Sequence, residues 1–427
     1  MARKFLSFLG TTDYKECTYA YGNLQELQYS TRYIQEAILK TICKDWTKED
    51  TAVIFLTKEA EKKNWYNQDD ENRRLKTNLE NLHINVKGVS IPEGRTEDEI
   101  WQIFHIVTNE IDDNDEIIFD ITHSFRSIPM LALVILNYAK ALKNTKLLGI
   151  YYGAFEAKDD NGIAPIFDLT SLNEILEWSQ AVNVFLKYGI SGPFRDISIR
   201  QLKPHLGSEQ WARDTRKFID SLNDLTMCMY TCRGKALSGK NASKKSISFA
   251  VEKVNDSIKN MKGVDEDIQL KPLIPLMEKI EKRLEIFEGN DNLSVGIAAV
   301  KWAIENSLIQ QAYTALDETI KTYVCEKFGY DSSNVKHREK IVNSALKIKA
   351  QDKKEEEWKV EKEYWEQVKE LVAKLDKELA DLSHDVGKLR NDINHFGFNN
   401  ETSEYNKLES SINDYFNKFL SYIDADH

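Results

Sequence analysis

The chain has 427 residues, of which 41% are hydrophobic and 30% charged, so it is a folded globular protein with room for about two or three cored domains. Its net charge of −11 argues against broad coating of nucleic acid by charge alone, without excluding a local basic cleft. Five cysteines, odd in number and without C-x-x-C spacing, argue against a disulfide framework or a zinc site and suit a reducing cytoplasm.

Arg3-Lys4 ahead of FLSFLG begins like a secretion signal, but the apolar run stops at Thr11-Thr12-Asp13 and is too short. Met130 to Leu136 is too short to span a bilayer, so a soluble protein is expected. Segments 4–10, 51–57, 81–92, 115–122 and 146–155 read as strands, the most apolar of them buried on both faces. Helical patterns run between them, over Tyr29–Thr41, Asn67–Leu82, Glu97–Ile111 and Ser127–Lys143. This alternation predicts a parallel, doubly wound sheet with its ligand at the carboxyl ends of the strands.

From about Ser171 no strand is expected and helices dominate. Arg233 to Ser248, basic and rich in Gly and Ser, reads as a loop, and Lys353 to Glu378 as one long helix with a single buried stripe.

Two strand ends carry polar residues where apolar ones would continue the strand. One is Gly10-Thr11-Thr12-Asp13-Tyr14; the other runs from Asp120 through Thr122, His123, Ser124 and Arg126 to a helix with Pro129 in its first turn. Hydroxyls and free amides at a helix start suit phosphate or ribose oxygens, and Arg126 adds charge. The simpler alternative is that Thr122 or Ser124 only caps the helix. No Gly-rich dinucleotide fingerprint is present.

FLGTTDYKE, FLTKEAEKKNW (55–65), IPEGRTEDEIW (91–101) and above all DITHSFRSIP (120–129) resemble the CARF domain of type III CRISPR-associated ancillary proteins. The resemblance covers about the first 170 residues and continues through LNEILEWSQAVNVFLKYG (172–189), which looks like that family's bridge into a helical effector. It implies a Rossmann-like sensor of cyclic oligoadenylate that works as a homodimer or higher even oligomer. The ligand contacts it implies are Gly10, Thr11, Thr12, Thr122, His123, Ser124 and Arg126, with cyclic tetra-adenylate the expected activator and no other cofactor.

Near the carboxyl end, Arg390-Asn-Asp-Ile-Asn-His395 carries an Arg and a His five positions apart. The pair alone is weak, since Gly397 is also a good helix stop and a His near a helix carboxyl terminus suits the dipole. After a CARF-like domain, however, Arg390, Asn391 and His395 resemble the R-x-x-x-x-H motif of HEPN ribonucleases. That resemblance implies an all-α effector cleaving single-stranded RNA without metal to a 2′,3′-cyclic phosphate. The expected layout is a sensor at 1–170, a helical linker at 171–200 and a HEPN domain at 201–427. Five helical positions turn about 140°, so Arg390 and His395 do not share a face, and two copies of the motif would be needed for one site. Competing readings are a non-catalytic sensor and a ring nuclease that degrades its own ligand. A metal site at His384 with Asp381 and Asp385 lacks ligand spacing.

Overall fold

The structure, a computed structural model, describes residues 2–22, 27–67, 70–123, 128–234, 246–262, 271–289, 291–398 and 402–425. They divide into two compact units, Met1–Glu174 and Ile175–His427.

The first unit is built on one eight-stranded sheet in the order β3-β2-β8-β7-β6-β1-β4-β5. The strands are β1 (Arg3–Leu9), β2 (Cys17–Tyr21), β3 (Gln28–Thr31), β4 (Thr51–Leu56), β5 (Asn85–Ser90), β6 (Glu116–Asp120), β7 (Lys146–Gly153) and β8 (Ile163–Asp168). Strands β7, β6, β1, β4 and β5 are parallel, as expected. Alternate residues serve opposite faces. Phe5, Ile54 and Ile118 join the core beneath Ile34, Ile38, Leu75 and Leu79, whereas Leu6, Val53 and Phe119 pack with Ile103, Val107, Ile135 and Leu136. Helices Ile34–Thr41 and Leu75–Glu80 thus cover one face, and Glu97–Asn109 and Ile128–Lys143 the other. Each buried Phe, Leu or Ile in these layers contributes about 1.5–3 kcal/mol.

The sheet is mixed rather than wholly parallel, which corrects the expected topology. β8 runs antiparallel to β7, β2 parallel to β8, and β3 antiparallel to β2. The expected helix over Tyr29–Thr41 loses its start to β3 and begins at Ile34. Thr31 closes that strand locally: its hydroxyl accepts the Tyr33 N–H at 3.2 Å and donates to Glu36 Oε2 at 2.6 Å. The helix expected over Asn67–Leu82 is confined to Leu75–Glu80, after a short 3₁₀ turn at Glu71–Arg73.

The second unit is helical, and among the described residues no strand follows Asp168. Residues of the expected linker are helical, and Trp178, Val182, Phe185 and Phe194 belong to the core of this unit. Most of the basic loop, 235–245, lies outside the described residues, and a helix starts at Ile247. The long helix expected over Lys353–Glu378 is instead two 3₁₀ turns, Glu355–Glu357 and Lys362–Tyr364, followed by a helix at Trp365–Lys374. Asp376 then caps a new helix, accepting the Glu378 N–H at 2.8 Å. No helix among the described residues is long and apolar enough to cross a membrane.

Candidate functional sites

In the first unit β1 is followed by β4 and β5 on one side, while β6 and β7 lie on the other, so the strand order reverses between β1 and β6. A crevice outside the carboxyl ends of the strands at such a switch point is where open α/β sheets bind ligands. Here a cleft of about 410 Å³ lies at the ends of β1, β4 and β6. Its lining includes Gly10, Thr11, Thr12, Thr122 and His123, which brings the two predicted loops together, and adds Tyr14, Glu59 and Arg95. Ser124 and Arg126 lie outside the described residues.

The first loop is held from below. Buried Asn64, on the π-helical turn Glu61–Trp65, donates from Nδ2 to the carbonyls of Gly10 (2.9 Å) and Thr12 (3.0 Å). The Gly10 N–H donates to the Tyr14 hydroxyl at 2.9 Å, and the Tyr14 carbonyl accepts from Arg32 Nη1 at 3.1 Å. Tyr14 stands edge-on to Tyr33, with ring centroids 5.3 Å apart, and against His123 at 4.5 Å. Burial pushes the Tyr14 phenol well above its usual range and holds His123 down at about 4, so His123 is neutral near pH 7. His123 Nε2 is enclosed and has no hydrogen-bond partner among the described residues.

The second loop hangs on Asp120, fully buried at the end of β6. Its carboxylate accepts from Ser7 Oγ (2.7 Å), the Thr122 N–H (3.0 Å) and Thr122 Oγ1 (2.5 Å). Burial raises the Asp120 pKa, against the lowering effect of the Thr122 and Ser7 donors. Thr122 Oγ1 also accepts the Gly153 N–H at 2.8 Å. The hydroxyl predicted to meet a ligand is therefore committed to joining the ends of β6 and β7, with β1 tied in through Ser7 and Asp120. Thr122→Val is expected to destabilise the unit by about 1–3 kcal/mol, because Gly153 N–H and Asp120 each lose a partner, while Thr122→Ser stays close to wild type. Thermal denaturation of the two variants checks this.

In the second unit the predicted motif closes the helix Lys377–Asn394. The helix ends in a Schellman turn: the Phe396 N–H bonds the Ile393 carbonyl at 3.0 Å and the Gly397 N–H the Asp392 carbonyl at 3.2 Å. Glycine was the expected stop, yet the left-handed position nearest the helix is filled by Phe396, φ 57°, with Gly397 next at φ 72°. A bulky residue in that region is costly, so the turn must be held by its surroundings. Buried Asp392 supplies part of that hold by accepting the Ser403 N–H at 2.8 Å.

Arg390 is half-buried and its Nη1 makes a short ion pair with Asp317 Oδ2, with Glu318 Oε1 3.7 Å away. Arg390 Nε is buried and unpartnered among the described residues. His395 caps the helix and is exposed, as is Asn391, while the Asn394 side-chain carbonyl accepts from Gln310 Nε2 at 3.3 Å. Arg390 and His395 thus leave the helix in different directions, one toward a charged cluster and one toward solvent. The aromatic residues beside His395 were not singled out in the sequence: Phe396 is 87% exposed and Phe398 86%, their ring centroids 6.2 Å apart. No group of three metal-ligating side chains occurs among the described residues.

Comparison with known proteins places the first unit. Residues 4–156 match the family described as the CRISPR system endoribonuclease Csx1, CARF domain. A CRISPR-associated protein of Methanocaldococcus jannaschii, MJ1674, is 27% identical over 266 residues, which are 60% of this chain and 37% of that protein. The chain therefore covers little more than a third of that curated relative's length.

Proposed function

We propose, from the premise that the amino-terminal unit of this CRISPR ancillary protein is a CARF domain, that the chain is a cyclic-oligoadenylate-activated, metal-independent endoribonuclease acting on single-stranded RNA. The observation that carries this reading is the asymmetry of the motif: Arg390 is anchored in carboxylates while His395 stands exposed beside bare aromatic rings.

Cleavage through the ribose 2′-hydroxyl needs a base at that hydroxyl, an acid at the departing 5′-oxygen, and compensation of charge gathering on the phosphate. A histidine serves the first two roles near neutral pH, and a fixed guanidinium serves the third. One His395 cannot hold and release a proton at both oxygens in one step. Two copies supply the second, and the product is RNA ending in a 2′,3′-cyclic phosphate.

Exposed apolar surface supports pairing in each unit. On the helix Ile128–Lys143, Met130, Val134, Tyr138 and Leu142 follow one another at every fourth position and are 45–75% exposed, with Trp101 exposed on the neighbouring helix. A row of this kind is unusual on a monomer and marks an interface. In the second unit Phe396 and Phe398 are the corresponding bare surface, next to His395. Gly10, Thr11, Thr12, Thr122 and His123 would then contact cyclic tetra-adenylate from paired subunits, and its binding would bias the pairing of the two motifs. His123, held neutral by burial, suits a contact with a base or ribose better than a charge contact with phosphate.

The combined substitution Val134→Glu and Tyr138→Glu places four charges in a two-fold interface. It is expected to give a folded monomer by light scattering and to reduce RNA cleavage at least about a hundredfold, since the second histidine is lost. A monomer that cleaves at the wild-type rate would contradict the composite site.

A further inference from the structure

The motif arginine is held by a charge cluster that the sequence motif does not include. Asp317 and Glu318 are neighbours on the helix Ile309–Lys327, and both reach toward Arg390. The Asp317 side chain is 6% exposed, as is that of Lys321 one turn later, and Lys321 Nζ lies 3.0 Å from Asp317 Oδ2. Arg390 Nη1 meets that same oxygen. Glu318 is bound by Lys321 Nζ at 3.0 Å and by Arg338 Nη2 at 2.7 Å. Burial pushes Glu318 upward and Lys321 downward in pKa, but the opposite charges around each outweigh it, so both stay ionised.

A buried carboxylate needs one good cation, and Lys321, four residues along the same helix, already supplies it to Asp317. Arg390 is a second cation on the same oxygen, and it comes from a different helix. What it gains is a fixed position: a long, flexible side chain is restricted to one orientation before any substrate arrives. The ion pairs of the half-buried guanidinium run through Nη1 and its Nε is enclosed, so a phosphate would be met at the outer Nη edge while the side chain remains anchored.

We propose that Asp317 is a positioning residue of the ribonuclease site, fixing the Arg390 guanidinium for the phosphate. This rests on the ribonuclease reading given above. Asp317→Asn keeps the shape but weakens the anchor, and it should lower kcat for RNA on the order of 100-fold, with KM changed no more than about twofold. Asp317→Glu should recover at least about a third of the lost rate on a logarithmic scale. Lys321→Met is the control, because Lys321 supports the same carboxylate without touching Arg390. It should lower the melting temperature at least as much as Asp317→Asn, yet leave kcat within about threefold. In an Arg390→Lys background, Asp317→Asn should cost no more than about a further threefold.

Wild-type kcat in Asp317→Asn, or an equal loss of kcat in Lys321→Met, overturns the positioning role while the ribonuclease reading stands. Absence of cleavage by the wild-type protein with every activator ring overturns the ribonuclease reading itself, and the positioning role with it.

Discussion

Replacing His395 by alanine is expected to lower activator-stimulated RNA cleavage by at least about a thousandfold, with cyclic-oligoadenylate binding unchanged. General acid–base catalysis by a positioned side chain is worth about 10²–10⁴, and in a paired site the substitution removes both the acid and the base at once. Nothing in the packing offsets the loss. His395 is exposed at the end of its helix, its backbone N–H bonds Asn391 and its carbonyl accepts from Phe398, and these bonds do not depend on the ring. The melting temperature should therefore stay close to wild type, so the variant separates chemistry from folding. Cleavage is read with a fluorescent RNA and ligand binding by calorimetry.

Gly10→Val is expected to weaken activator binding on the order of 100-fold. The glycine is required here for room: a Cβ at this position would lie 2.6 Å from the Tyr14 hydroxyl oxygen and 3.7 Å from His123 Cβ. The Tyr14 ring, packed against Tyr33 and His123, has little space to retreat, so the loop must shift. That shift strains the Gly10 N–H bond to Tyr14 and the two Asn64 bonds that set the loop against the cleft. Overpacking of this kind costs about 1–3 kcal/mol, and 1.4 kcal/mol is tenfold in affinity. Calorimetric titration with cyclic tetra-adenylate reads the result directly.

The parallel strands β1, β4 and β6 were legible because each is a short apolar run bounded by polar turns and buried on both faces, whereas the edge strand β5, NVKGVS, is half polar and shows only as alternation. The antiparallel side of the sheet was not. Cys17–Tyr21 and Gln28–Thr31 are short and half polar, and although they pair with each other locally, β2 joins the sheet only through β8, over 100 residues away in the chain, as in Thr18 with Ile163. β8 also holds Pro165, which lacks an N–H and reads against an interior strand, yet its carbonyl accepts from Ala154 at 2.9 Å.

The same division runs through the two sites. Gly10, Thr11, Thr12, Thr122, His123, Arg390 and His395 are visible as polar breaks in apolar patterns or as a spaced motif. The groups that hold them, Asn64, Asp120, Tyr14 and Asp317, are not, because a hydrogen bond from Asn64 to Gly10 or an ion pair from Asp317 to Arg390 leaves no local pattern. Thr122 shows the limit from the other direction: as a residue type it suits a ligand, but its hydroxyl is already bonded to Asp120 and Gly153.

The measurement that bears most directly on the central claim is cleavage of a fluorescent single-stranded RNA by the purified wild-type protein in excess chelator, with tri-, tetra- and hexa-adenylate rings supplied in turn. Coupling of an amino-terminal sensor to the Arg390–His395 motif predicts cleavage that depends on one of these rings, with the tetra-adenylate foremost, persists without metal and leaves 2′,3′-cyclic phosphate ends. No cleavage with any ring, or cleavage that requires a divalent metal, would contradict it.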